Sequence, residues 1–215
     1  MISRANFLKV AAYIDSIVGR KSTELDFINP YTFAVSVILS AQATDKGVNK
    51  ATPALFAVAD TPDKMLELGY DGLREYVKSI NFYNNKSKLI IAMSEKLLSD
   101  YGGILPMDRN ELEKLPGIGR KSANVIMNEM AGAPTIAVDT HVLRLSQRLD
   151  FAAAGAGPLE VEESLEKLTP PEDKPFVSNW FVLFGRYHCT AKKPKCAECG
   201  LHAYCGYWKE VSSKI

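Results

Sequence analysis

The chain has 215 residues, of which 47% are hydrophobic and 24% charged, the composition of a globular protein with a sizeable core. Lys plus Arg number 26 against 25 Asp plus Glu, a net charge of +1, so long-range attraction to a polyanion is not built into the total. Any nucleic-acid face must be a local patch. No apolar run approaches the roughly 18 residues of a membrane span. The start, Met1 to Asn6, reads as the beginning of a helix rather than a signal peptide, which makes a cytoplasmic, reducing compartment the expectation.

Helical periodicity runs from end to end. Phe7, Val10, Ala11, Ile14, Ile17 and Val18 mark one buried helical face. Asn29-Pro30 is a cap followed by proline at the first helical position, and Tyr31 to Ala43 is apolar almost all round, which predicts a central buried helix. Thr61-Pro62 repeats the start signal, and Asp71 offers a further cap. Lys86 to Tyr101 is amphipathic through Leu89, Ile90, Met93, Leu97 and Leu98 and stops at Gly102-Gly103. Asp108 with Glu111 forms a candidate capping box for a short helix. Ala123, Ile126, Met127 and Met130 line the next one, and Pro158 to Leu168 and Pro175 to Tyr187 predict two more. Period-2 alternation is absent, so the expected class is all-α.

Between two of these helices lies Leu115-Pro116-Gly117-Ile118-Gly119-Arg120-Lys121-Ser122. Gly117 and Gly119 suit a hairpin that needs positive φ or close backbone approach. The amides that follow sit at a helix N-terminus, which binds phosphate. Arg120 and Lys121 put positive charge at the helix end that disfavours it, a sign that an anion reverses. An ordinary helix–turn–helix corner is the alternative account of the glycines, and the less favoured one.

Cys189, Cys196, Cys199 and Cys205 give C-x6-C-x2-C-x5-C in one short loop. Four thiolates so close suit a [4Fe–4S] cube better than zinc, whose sites pair two C-x2-C knuckles, and zinc better than unligated thiols. Charge is uneven around it. Glu160 to Asp173 is acidic, whereas Arg186, Lys192, Lys193 and Lys195 share a stretch without acids, either a solvated loop or a phosphate contact. Asp139, after four uncharged residues, is a candidate carboxylate in a partly desolvated place or simply the cap of the next helix. His141 beside it reads as a packed or hydrogen-bonded histidine.

Leu115 to Val125 (LPGIGRKSANV), Ile136 to Val142 (IAVDTHV), Leu39 to Asp45 (LSAQATD) and the cysteine spacing resemble the endonuclease III family of the helix-hairpin-helix–Gly/Pro–Asp superfamily. The resemblance runs over nearly the whole chain. It implies two helical lobes with a DNA-binding groove between them: residues 22–132 as a six-helix lobe, and residues 1–21 with 133–215 as a second lobe holding a [4Fe–4S] cluster. It implies a bifunctional glycosylase that takes oxidised pyrimidines or abasic sites in double-stranded DNA, acting as a monomer. Lys121 then falls at the catalytic lysine and Asp139 at the essential aspartate, and the cysteines are the cluster ligands. Gln42 falls at the residue that fills the hole left by a flipped nucleotide. Phe82 falls where the family wedge is often leucine, and this aromatic departs from that pattern. Gly117, Ile118, Gly119 and Arg120, with Lys192, Lys193 and Lys195, become DNA contacts.

Two other readings compete. A mismatch adenine glycosylase shares the hairpin and cluster, but it lacks the lysine and uses a glutamate before the Gln loop, whereas Tyr31 to Thr44 holds no acid. A non-enzymatic helix-hairpin-helix DNA-binding module needs neither Lys121 nor Asp139.

Overall fold

The computed structural model describes residues 3–20 and 23–213, and among them every regular element is a helix. Contacts divide the chain into two compact units, Glu24–Ala131 and Met1–Thr23 joined with Gly132–Ile215. The expected boundary at residues 21 and 22 lies outside the described residues, as do Met1 and Ile2.

The unit spanning Glu24–Ala131 holds α2 (Pro30–Ser40), α3 (Asp45–Phe56), α4 (Pro62–Val77), α5 (Tyr83–Tyr101), α6 (Arg109–Leu112) and α7 (Arg120–Ala131). Asn29 opens α2 through a reciprocal box: its Oδ1 accepts from the Thr32 amide at 2.9 Å, and Thr32 Oγ1 accepts from the Asn29 amide at 2.9 Å. Every residue from Tyr31 to Leu39 is buried. Its polar members are satisfied inside the core, Tyr31 Oη with Ser94 Oγ at 2.6 Å and Ser36 Oγ donating to Asp26 O at 3.0 Å. The helix stops at Ser40, short of the expected Ala43.

Two local expectations are corrected. Asp71 does not cap a helix; α4 runs through it and breaks at Gly69 (φ 71°), where positive φ costs glycine nothing. Glu111 does not close a capping box. Asp108 Oδ1 does accept from the Asn110 and Glu111 amides at 2.8 and 3.1 Å, but the Glu111 carboxylate accepts from Tyr101 Oη at 2.9 Å and Lys114 Nζ at 2.7 Å instead.

The other unit packs α1 (Arg4–Val18), α8 (Thr140–Arg148), α9 (Pro158–Leu168), α10 (Lys174–Tyr187) and α11 (Gly206–Ser212), with single 3₁₀ turns at Cys196–Glu198 and His202–Tyr204. The α1 face is shorter than its periodicity suggests, since Phe7, Val10, Ala11 and Ile14 are buried but Ile17 is 46% exposed. Phe151 sits fully buried between Phe7 and Phe181, with ring centroids 5.1 and 5.8 Å away. At Gly185 an added Cβ would lie 3.0 Å from Arg144 Nη2 and 3.1 Å from His141 Cβ, so a bare backbone lets α10 close on α8.

Replacing Phe151 with Ala removes the centre of this aromatic stack. Denaturant titration should show a loss of about 3–5 kcal/mol, and a loss below about 1 kcal/mol would contradict the packing described.

Candidate functional site

The hairpin is the α6–α7 corner. Leu115 and Ile118 are 2% and 3% exposed and pin the connecting loop to the core. Gly117 has φ 84°, and a Cβ there would lie 3.1 Å from Ile38 Cδ1 and 3.2 Å from Leu89 Cβ. Both glycine properties, the conformation and the close approach, are therefore used at this one position. Gly119 differs from expectation: its φ is not positive, and a Cβ would meet no protein atom within 4 Å. It lies exposed at the start of α7, its carbonyl accepting from the Ala123 amide at 2.9 Å. Arg120 and Lys121 follow, both exposed on the first turn of α7. The Ile118 side chain is buried, which leaves only its main chain for an outside partner.

Elsewhere in the same unit, Gln42 and Phe82 adopt left-handed backbone conformations, with φ 53° and 57°. For a non-glycine residue this costs of order 1 kcal/mol and persists only where neighbours enforce it. Phe82 opens α5 and is 64% exposed. Asn81 Nδ2 donates to the Gln42 carbonyl at 3.3 Å, and Lys86 Nζ donates to the Leu39 carbonyl at 2.8 Å. Lys86 is 4% exposed, and burial pushes its pKa below the usual lysine range. Lys86 went unnoticed as a functional candidate, although its spacing to Ile90, Met93 and Leu97 places it on the buried face of α5, where an unpaired lysine would be costly.

In the other unit Asp139 caps α8, with Oδ1 accepting from the His141 and Val142 amides at 2.8 Å each. These bonds use one oxygen and leave Oδ2 for a second partner. The cap reading is thus correct without excluding a chemical role. His141 is half-buried, and desolvation lowers its pKa. Arg144 Nη2 lies 3.2 Å from His141 Nδ1 and donates to the Gly185 carbonyl at 2.8 Å. A guanidinium can only donate, so Nδ1 accepts and the imidazole proton sits on Nε2.

Cys189, Cys196, Cys199 and Cys205 line one cavity with Leu149, Phe184, His188 and Leu201, partly open to solvent. Among the described residues no group of His, Cys, Asp or Glu closes around a single ion. A ring of four thiols about a cavity suits a polynuclear cluster better than one zinc ion. The surroundings also fit anionic sulfur ligands. Arg148 Nη1 donates to Cys189 Sγ at 3.2 Å, the Trp208 amide donates to Cys205 Sγ at 3.4 Å, and the buried His188 Nε2 has no protein partner. Burial pushes the thiols of Cys196, Cys199 and Cys205 up. Arg148 further donates to the Thr190 and Ala191 carbonyls at 2.8 and 3.0 Å, fastening the loop whose Lys192, Lys193 and Lys195 are exposed. Arg144 and Arg148, one turn apart on α8, are the sequence signal for this role.

Residues 35–171 match the HhH-GPD superfamily of base excision DNA repair proteins, and residues 189–205 match the iron–sulfur binding domain of endonuclease III, a span that holds all four cysteines. The chain belongs to the HhH-GPD superfamily and is a DNA glycosylase and abasic-site lyase that works on duplex DNA with a [4Fe–4S] cluster. Within that superfamily it is similar to endonuclease III. It is 44% identical to the Escherichia coli K12 enzyme over 98% of this chain and 99% of that protein, and 48% identical to the Haemophilus influenzae enzyme over 88% and 90%. Its fold matches a covalent endonuclease III–DNA intermediate with TM-score 0.94 and 38% identity, over 99% of this chain and 100% of the other. A thermostable thymine-DNA glycosylase shares the fold at TM-score 0.84 and 22% identity. The non-enzymatic module is thereby set aside.

Replacing Arg148 with Met should loosen the 189–205 loop, because a charged donor with partners at Cys189, Thr190 and Ala191 is lost. Stability of the loaded protein should fall by about 1.5–3 kcal/mol, with faster loss of visible cluster absorbance on dilution. Unchanged absorbance decay would argue that Arg148 does not hold the loop.

Proposed function

We propose that the protein removes oxidised pyrimidines from double-stranded DNA and cuts the strand 3′ to the resulting abasic site through a Schiff base on Lys121. The observation that carries this is the placement of Lys121, exposed on the first turn of α7 directly after a hairpin whose outer glycine is bare. The open space at Gly119 supports approach of a phosphate to the hairpin backbone, and the α7 N-terminus with Arg120 supplies the matching positive field.

A damaged base must leave the stack before C1′ is reachable. In the reaction we propose, Lys121 Nζ bonds to C1′ as the glycosidic bond breaks, the electron pair leaving with the base, which takes up a proton. The ring C1′–O4′ bond then opens to give the iminium, its electron pair staying on O4′, which takes up a proton from water. Loss of a C2′ proton and departure of the 3′ phosphate complete β-elimination, and water releases the lysine. Asp139 stabilises the positive charge that grows at the sugar, through the oxygen not spent on its cap. A water nucleophile would stop at the abasic site, so the lysine is what makes a lyase.

Gln42 and Phe82 fill the space left by the extruded nucleotide; the exposure and left-handed backbone of Phe82 support this, and its ring adds stacking that leucine lacks. Gly117 and Ile118 contribute through the main chain. Lys192, Lys193 and Lys195 meet backbone phosphates. Cys189, Cys196, Cys199 and Cys205 hold the [4Fe–4S] cluster, which supplies a rigid anionic centre around which the basic loop is shaped. The nucleoid, in the cytoplasm, is the place of action we propose, with the protein as a monomer.

Incubation with a labelled duplex bearing one thymine glycol in the presence of borohydride tests the mechanism. The wild-type chain should yield a covalent complex, and Lys121→Ala should yield none while binding DNA within about threefold of wild type. Strand cleavage by Lys121→Ala at the wild-type rate would overturn the assignment. Gly119→Ala tests the hairpin separately: stability should change by less than about 1 kcal/mol, since the site has room, whereas DNA affinity should fall about tenfold if a phosphate packs there.

A further inference from the structure

Leu39 lies at the C-terminal end of α2, where a carbonyl lacks a helical donor, and the buried Lys86 side chain supplies one at 2.8 Å. The backbone amide of the same Lys86 donates to the Phe82 carbonyl at 3.1 Å. One residue therefore touches both the end of α2, just before Gln42, and the start of α5, where Phe82 stands. A second tie runs alongside: Asn81, the neighbour of Phe82, donates from Nδ2 to the Gln42 carbonyl at 3.3 Å. Between these ties the turn at the end of α2 closes through the Ala41 amide on Ile38 O (3.4 Å) and the Ala43 amide on Ser40 O (3.0 Å), with Gln42 held at φ 53°.

We propose that Asn81 and Lys86 are positioning residues that join Gln42 and Phe82 into one preassembled wedge for entering an intact duplex. This deepens the assignment of Gln42 and Phe82 to the space of the extruded nucleotide and rests on it. Two side chains that enter a base stack must arrive at a fixed separation, and two left-handed residues on untethered turns would relax into commoner conformations. Fixing them beforehand removes the ordering cost from the step in which the base leaves the stack. Asn81 and Lys86 act through Gln42 and Phe82, so they matter when a base pair has to be opened and not when the nucleotide is already unpaired.

The cluster-loaded full-length chain is assayed under single turnover on thymine glycol in two settings, paired with adenine in a duplex and opposite a one-nucleotide gap. Asn81→Leu, which keeps a similar size without the donor, should slow base release from the paired duplex about 5- to 10-fold and from the gapped substrate less than about twofold. Asn81→Gln, which keeps the amide, should recover most of the loss. Lys86→Met should show the same split, with Lys86→Arg as its rescue; if Lys86→Met fails to fold, the Asn81 pair decides alone. In a Gln42→Ala background Asn81→Leu should add less than about twofold, since the bonded carbonyl remains but the side chain that it positions is gone. Equal slowing on both substrates, or none on the paired duplex, overturns the proposal. If Gln42→Ala and Phe82→Ala leave paired and gapped rates unchanged, the underlying assignment of those two residues fails instead.

Discussion

In the unit spanning Glu24–Ala131 the constraint on which most depends is the complete burial of α2. A helix with every residue from Tyr31 to Leu39 inside the core cannot rotate or slide without exposing apolar surface on one side and overpacking the other. Its position is therefore fixed, and what rests on it inherits that precision. Ile38 is the atom-level stop for Gly117, so the hairpin is seated against α2 as closely as a missing Cβ permits. One residue further along, the Leu39 carbonyl receives the Lys86 amine, and the chain turns into the loop that carries Gln42. The hairpin and the Gln42 loop thus have a common reference element, which is a physical reason for segments distant in sequence to keep register with one another.

The other unit solves the same problem with α8. Its first turn is set by the Asp139 cap, and its last residue, Arg148, reaches the cysteine loop through the Cys189 sulfur and two carbonyls. Because α10 approaches α8 at Gly185 with no side chain between them, Arg144 can reach the Gly185 and Cys189 carbonyls from the middle of α8. The loop buries Leu201 in the core and packs Tyr204 against it. Further order comes from arginine donors on α8, from the His202 contact to the Cys196 carbonyl at 2.6 Å, and from His202 stacking on Trp208 at 4.1 Å.

How much of this could be read from residues alone follows from which rule governs each position. Asn29-Pro30 and the apolar run behind it dictate α2, because capping and burial push the same way. Asp139 was open between cap and catalyst, and the two cap bonds on a single oxygen make both readings compatible. Gly117 and Gly119 look alike in sequence, yet only the packing of Ile38 and Leu89 separates a glycine required by the fold from one that leaves outside space. Phe82 could not have been placed in a left-handed conformation by any propensity, since its local preference opposes it. Asn81 is an exposed polar residue in a turn, and nothing in its neighbours reveals a bond to a carbonyl 39 positions away. Glu111 shows the reverse failure: a correct local motif lost to partners, Tyr101 and Lys114, that offer its carboxylate better bonds.

The charge distribution completes the physical picture. With a net charge of only +1, the chain has little long-range pull on DNA, so selectivity for a damaged site cannot come from overall attraction. Positive groups are instead gathered locally: Arg120 and Lys121 on the first turn of α7, and three exposed lysines on a loop anchored by another arginine. The strong interactions are then left to the few residues, Gln42, Phe82 and Lys121 on the reading proposed, that engage only when a nucleotide leaves the stack.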